Sequence, residues 1–433
     1  MTALRTTSGR KIEPASHTQA ALEIVGAAAL PATLETTRKL PQINDGFRAN
    51  RLLGRVIPPA LFVFIIHGWR IVSLHATPYL YYTLQRPRSA VLYCVGFNVL
   101  LCAMMYNYLS VYLLPRDHSR PPRAVPDDVR EKRVIFECDR QGEPTRCWQD
   151  ACNGSWRPAR ARHCRDCKRC RLGFDHCCPW FGTCITSPAS GKAFIHFCFF
   201  VQPLLTLALS VILPLTISQV SKVVELTWTT DSLGYELLAA EWWHHWYSWS
   251  GGPGFRWLIG LLLGYWHLDR IVEHQPDLAL VVPRSAVASS DPHYLLSQPR
   301  VATLLIVTIA VFVQLVALAL LIVGTQQIAQ GVWTVEVQRA RRWRRHGGNI
   351  DDRLRLWIPA DGIHSDNRRH QGFIAAIEPD VRIYDRGPRE NLTAILGERW
   401  WASWESSQDP CTSVTIAPAM LEGLWQAHLG KDR

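Results

Sequence analysis

Apolar residues along this 433-residue chain gather into blocks instead of being spread as they are in a soluble protein. Four blocks, 56–76, 89–113, 194–220 and 301–324, each reach roughly the 20 residues a helix needs to cross a hydrocarbon core of about 30 Å. They predict four transmembrane helices. His67 and Arg70 interrupt the first block, so Arg70 is expected either to snorkel to the interface or to face protein. Pro58 and Pro59 are expected in the first turn of that helix, where proline is tolerated. A further apolar stretch, 255–268, is short for a span at about 14 residues and is expected to be interfacial or re-entrant.

The segments between the blocks are polar and rich in arginine. Lys and Arg near the ends of spans tend to remain cytosolic. Basic residues mark the N-terminal tail (Arg48, Arg51, Arg55), the segment 116–192, and the stretch after the fourth block (Arg339, Arg341, Arg342, Arg344, Arg345). These three pieces share a side only if the chain crosses four times. The expected organisation is a cytosolic tail 1–55, helices one and two in 56–113, a cytosolic Cys-rich domain 114–193 and helix three 194–220. A lumenal loop 221–300, helix four 301–324 and a cytosolic tail 325–433 complete it, the tail carrying short structured pieces near 373–377 and 391–404. The run 242–249 is dense in Trp and His, and no chemistry is assigned to it.

The hydrophobic fraction is 48%, yet mean hydropathy is only -0.02, which fits apolar spans alternating with polar segments. The formal charge of +11 raises the question of nucleic acid. The basic residues lie beside the apolar blocks, with no recognition stripe or RNA-binding motif, so a lipid bilayer is the expected partner and nucleic acid is not. Residues 1–54, polar and basic apart from an Ala-rich patch, are not read as a secretory signal.

Of 13 cysteines, nine crowd between Cys138 and Cys184 in a pattern that includes a CxxCxxC run with histidines nearby. Metal ligation fits that spacing better than disulfides. Zinc takes four ligands in a tetrahedron, and short Cys spacings let one turn deliver two of them. The segment holds enough ligands for two sites and few aliphatic residues, so metal is expected to supply much of its folding energy.

The segment reads Cys147-WQDA-Cys152, then Arg157-Pro158 and Arg160, His163-Cys164-RD-Cys167-KR-Cys170, and finally Asp175-His176-Cys177-Cys178-PWFGT-Cys184. It resembles the Cys-rich domain of the DHHC-type protein S-acyltransferases (palmitoyltransferases), placed as that family has it between the second and third spans. Thr334-Val335-Glu336 looks like the end of the family's TTxE element, with Trp333 in place of the first Thr. Tyr384 to Asn391 resembles a C-terminal family element centred on an aromatic and an Asn. The phrasing FECD, CW and WRP suggests the fungal branch. The resemblance implies an α-helical membrane protein of four transmembrane helices with a cytosolic zinc-binding Cys-rich domain.

It further implies a first zinc held by Cys147, Cys152, His163 and Cys170, and a second held by Cys164, Cys167, Cys177 and Cys184. Two departures stand out: four residues separate Cys147 from Cys152 where the family has CxxC, and the second His of DHHC is Cys177. Thiolate can replace imidazole on zinc, so an all-cysteine second site is chemically acceptable. The implied nucleophile is Cys178, with His176 as its base and Asp175 orienting the imidazole. The implied activity is transfer of a long-chain acyl group from acyl-CoA, through a thioester on Cys178, to cytosolic cysteines of membrane-associated proteins. The acyl chain would lie among the transmembrane helices, and the CoA phosphates would meet the basic surface around Arg160, Arg165, Lys168 and Arg169. The competing expectation is an inactive zinc-stabilised scaffold of the same family, suggested by Cys177, by the absence of a DPG after the second span and by the absence of an Asn after Cys184. A RING-like ligase suits the ligand order less well.

Overall fold

The structure is a computed structural model and describes residues 22–24, 49–115, 119–187, 189–229, 233–274, 301–348, 353–359, 372–399 and 416–429. Among the described residues, four helices are long and apolar enough to cross a membrane: Arg51–Thr83, Pro87–Tyr112, Gly191–Glu225 and Val301–Ala329. The protein is thus an α-helical, multi-pass membrane protein, built on the four blocks expected from the sequence. The helices overrun those blocks because apolar content marks only the stretch that meets hydrocarbon, while flanking polar residues continue the same backbone ladder. The first helix starts at Ala49, so Pro58 and Pro59 lie inside it and not in its first turn. Each removes one backbone donor from the ladder. Arg70 is exposed on the outer surface of this helix and does not face protein.

The helices meet through Tyr93, Phe97, Met104 and Tyr108 of the second, Phe197, Val201 and Leu204 of the third, and Val307, Ala310 and Ala317 of the fourth. Large apolar side chains such as Leu92, Val99, Phe312 and Leu315 point outward, as contact with lipid demands. Some polar side chains pair between the helices. Tyr93 donates its hydroxyl to the Ala208 carbonyl at 3.1 Å, and Gln314 Nε2 donates to Thr206 Oγ1 at 2.8 Å. Between the helices lies an apolar cavity, partly open to the outside, lined among others by Ile65, Phe97, Met104, Phe197, Leu204 and Val307.

The stretch 255–268 sits within a longer helix, Gly252–His274, which is not one of the four apolar candidates. This helix packs on the Trp-rich run, whose composition now has a structural reason. Trp242 and Trp243 are buried with Leu238 and Ala239, against Trp228, Ile259 and Leu263. The Arg256 guanidinium lies 4.3 Å from the Trp249 ring centre and 5.2 Å from that of Trp243. Residues 275–300 of the expected loop lie outside the described residues.

A four-stranded antiparallel sheet gathers distant parts of the chain in the order Leu22–Ile24, Phe373–Ile377, Leu354–Ile358, Phe136–Glu137. The piece expected at 373–377 is one of these strands. The piece expected at 391–404 is a helix, Pro388–Leu396, and its portion beyond residue 399 lies outside the described residues. Helix Pro418–Leu429 covers the sheet with Leu424 and Trp425, the latter edge-on to Phe373 at 5.1 Å.

A Cβ at Gly260 would stand 2.3 Å from Trp243. Gly260→Ala is therefore expected to destabilise the Trp-rich unit by about 1–3 kcal/mol. The check is a lowered midpoint of thermal unfolding in detergent.

Candidate active site and metal centres

Three short hairpins build the Cys-rich segment. Arg146–Cys147 pairs with Ser155–Trp156, Arg162–Cys164 with Arg169–Arg171, and Phe174–Cys178 with Thr183–Thr186. Too short to bury a core, they bring sulfurs together instead. Cys147, Cys152, His163 and Cys170 form one cluster and Cys164, Cys167, Cys177 and Cys184 another, each with one ligand atom per residue within 4.8 Å of the others. These are the two sets expected from the sequence.

The donor sets fit zinc. With bonds of about 2.3 Å to sulfur and 2.0 Å to nitrogen, a tetrahedron has edges of about 3.5–3.8 Å. His163 Nδ1 lies 3.5 Å from Cys147 Sγ and 3.4 Å from Cys152 Sγ. In the second cluster Cys167 Sγ is 3.8 Å from Cys177 Sγ and 3.3 Å from Cys184 Sγ. His163 turns its other nitrogen to Asp150 Oδ2 at 3.1 Å, the outer carboxylate that orients ligating imidazoles. The four-residue spacing after Cys147 is absorbed by a 3-10 turn, Asp150–Cys152, followed by left-handed backbone at Asn153 and Gly154. In the all-cysteine cluster, hydrogen bonds led by the one to Cys164 pull the Cys167 thiol below its usual pKa and push Cys177 and Cys184 above theirs. Only a cation among them lets all four ionise together.

Neighbouring cysteines have different surroundings because strand side chains alternate. Cys177 sits opposite Cys184 and faces the cluster. Cys178 points the other way and is 3% exposed, packed into the core of the membrane helices with Tyr108, Phe181 and Phe194. His176 shares the face of Cys178, whose thiol helps to favour the charged ring. His176 Nδ1 meets Asp175 Oδ2 at 2.6 Å. Burial works against the imidazolium, but Asp175 and Cys178 outweigh it and raise the His176 pKa to about 10. The cavity between the helices begins one turn below Tyr108, at Met104, and at Phe197, whose ring centre is 5.2 Å from Phe181.

This strand is held from two sides. Asp175 Oδ1 accepts the Thr334 backbone N–H at 2.5 Å, so one carboxylate orients His176 and anchors the helix Thr334–Arg345. Glu336 takes the Arg160 guanidinium through two bonds of 3.0 Å, and also accepts the Trp333 N–H at 2.9 Å. Arg160 further donates to the Gly331 carbonyl and lies 3.9 Å from the Tyr384 ring centre. Arg160, expected to meet CoA phosphate, is instead consumed by this buried network. Asn391 Nδ2 donates to the Ala329 carbonyl at 2.9 Å, capping the fourth span, and to Asp385 Oδ1 at 2.8 Å. On the other side, Pro58 lacks the N–H that would meet the Gly54 carbonyl. Gly182, at φ +64, presses there: a Cβ on it would stand 2.6 Å from Gly54 O. The anchoring roles of Pro58, Gly54 and Glu137 were missed in the sequence. Burial pushes the Glu137 carboxyl up, but Arg162 and Arg157 hold it below the usual range.

Four apolar spans and, between the second and third, a Cys-rich segment whose two clusters could each hold a metal define a class of membrane protein. Residues 143–341 match the family model described as DHHC palmitoyltransferase. The match runs from the Cys-rich segment through the fourth span and covers just under half of the chain. The chain is 25% identical over 173 residues to palmitoyltransferase spe-10 of Caenorhabditis elegans, covering 31% of this chain and 48% of that protein. It is 35% identical over 89 residues to palmitoyltransferase pfa5 of Emericella nidulans, 19% of this chain and 18% of that one. Over 41 residues it is 49% identical to protein S-acyltransferase 10 of Arabidopsis thaliana, 10% of this chain and 12% of that one. The chain thus spans less than half the length of these relatives. They come from a nematode, a fungus and a plant, so they do not single out a fungal branch.

Arg160→Ala would leave Glu336 without its bidentate partner where the two side chains are 12% and 21% exposed. The expected loss is about 3–5 kcal/mol. Glu336→Gln, which keeps hydrogen-bonding atoms, is expected to lose less, and thermal unfolding of both variants measures the difference.

Proposed function

We propose that this protein is a protein-cysteine S-acyltransferase that uses long-chain acyl-CoA. The observation that carries the reading is the placement of Cys178: it shares a strand face with His176, is buried in one core with Tyr108, Phe181 and Phe197 next to the apolar cavity, and stands outside both Cys/His clusters. The Cys178 thiolate attacks the acyl-CoA carbonyl carbon, the carbon–sulfur bond to CoA breaks, and protonated His176 gives its proton to the departing CoA sulfur. His176 then takes the proton of a substrate cysteine, whose sulfur attacks the thioester and releases Cys178. Asp175 holds the ring in place and favours its charge. The acyl chain occupies the cavity between the helices.

Cys147, Cys152, His163 and Cys170 would hold one zinc and Cys164, Cys167, Cys177 and Cys184 the other. Bound there, zinc supplies folding energy and fixes the strand Phe174–Cys178. Cys177 enters the second cluster fully, so its replacement of histidine does not favour the inactive-scaffold reading. For topology, the shared sheet supports one side for the N-terminal tail, the Cys-rich segment and the C-terminal tail, and flanking arginines favour the cytosol for all three. Residues 221–300 then lie on the lumenal side.

Purified protein incubated with labelled palmitoyl-CoA is expected to carry a hydroxylamine-sensitive label that Cys178→Ser abolishes. Retained label in Cys178→Ser overturns the proposal. Elemental analysis is expected to give about two zinc per chain, and about one in Cys177→Ser. A His176 pKa raised to about 10 keeps the imidazolium across neutral pH, so labelling should persist into alkaline pH and fall as pH rises through about 10. Asp175→Asn removes a cause of that elevation and should move the alkaline limb to lower pH.

A further inference from the structure

The helix Thr334–Arg345 is two-sided, and its outer side has no role in the reaction. Only residues 330–333 separate it from the end of the fourth span at Ala329. Its inner side is spoken for. Trp333 and Ala340 are buried, the Thr334 N–H holds Asp175, Glu336 holds Arg160, and Arg339 lends its field to Glu137.

The outer side carries Arg341, Arg342, Arg344 and Arg345, all exposed and none with a hydrogen-bond or ion-pair partner among the described residues. At 3.6 residues per turn, Arg341, Arg342 and Arg345 fall within one sector of about 100°, with Arg344 at its flank. A helix dipole welcomes cations in the last turn. Yet Arg341 and Arg345 at i,i+4, and Arg342 and Arg345 at i,i+3, are like-charged neighbours that repel. A face built this way is stabilised by an external layer of anions.

The geometry points to anionic lipid headgroups as that layer: the outer face of this helix is a membrane-surface contact that binds acidic phospholipid. The bilayer is favoured over soluble polyanions because the helix is tethered to a span by four residues and cannot leave the membrane surface. A basic cluster directly following a span gains affinity for an acidic leaflet with every Lys or Arg near it. The same rigid helix carries the Thr334 amide that holds Asp175, so lipid bound at one end orders the strand Phe174–Cys178 at the other.

The inference does not depend on acyl transfer, since amide hydrogen exchange reads it. The full chain is placed in bilayer discs of phosphatidylcholine alone or with phosphatidylserine. Exchange over 334–345, and over 174–178, is expected to be at least about tenfold slower in the acidic discs, with the difference lost at about 1 M salt. Equal exchange in the two discs overturns the inference. The variant Arg341→Gln/Arg342→Gln/Arg345→Gln is expected to exchange in both discs as wild type does in the neutral one; retained slowing in that variant also overturns it. Adenosine 3′,5′-bisphosphate or a single-stranded oligonucleotide added to neutral discs should leave exchange unchanged. Slowing there as large as that seen with lipid would assign the face to soluble phosphate and refute the membrane contact.

Discussion

A β-strand must send successive side chains to opposite faces, and the chemistry of this protein hangs on that constraint. In the strand Phe174–Cys178 it separates two adjacent sulfurs. Cys177 meets Cys184 in a cluster that could hold a metal, and Cys178 lies on the side of His176 and the membrane core. A shift of one residue in the pairing would exchange their fates. The two clusters therefore act as fasteners for a strand with too few partners to keep its register alone.

The second layer of control comes from residues far away in sequence. Asp175 divides its oxygens between His176 and the Thr334 amide, which ties the imidazole to the segment leaving the fourth span. Arg160 and Glu336 lock the same junction from the next turn, and Asn391 caps the span itself. The strand Phe174–Cys178, the last membrane helix and the helix beyond it are thus tied together around the candidate site.

Much of this was legible in the sequence because the constraints are severe. A bilayer demands long apolar runs, and four were visible. Their ends were not, since Ala49 to Arg55 continues a helix without being apolar, which moved Pro58 and Pro59 from the first turn to the interior. Cysteine spacing pointed to metal, and the two sets of ligands came from the resemblance to the family; the structure groups the same residues. Arg160 was misread because a charge beside a cysteine cluster looks like a phosphate site, while its partner Glu336 is 176 residues away. The Trp-rich run resisted interpretation for the same reason: its logic lies in packing against Ile259 and Leu263 on a neighbouring helix, not in any local pattern.

The sheet that joins Leu22–Ile24 to Phe373–Ile377 carries a consequence for biosynthesis. The segment Leu22–Ile24 has no pairing partner until all four spans have been made and Phe373–Ile377 has emerged. Closure of that sheet is a late, long-range event, slow by its contact order. It serves as a completion mark: a chain stalled or truncated before its final strands displays an orphan edge that quality-control machinery can recognise.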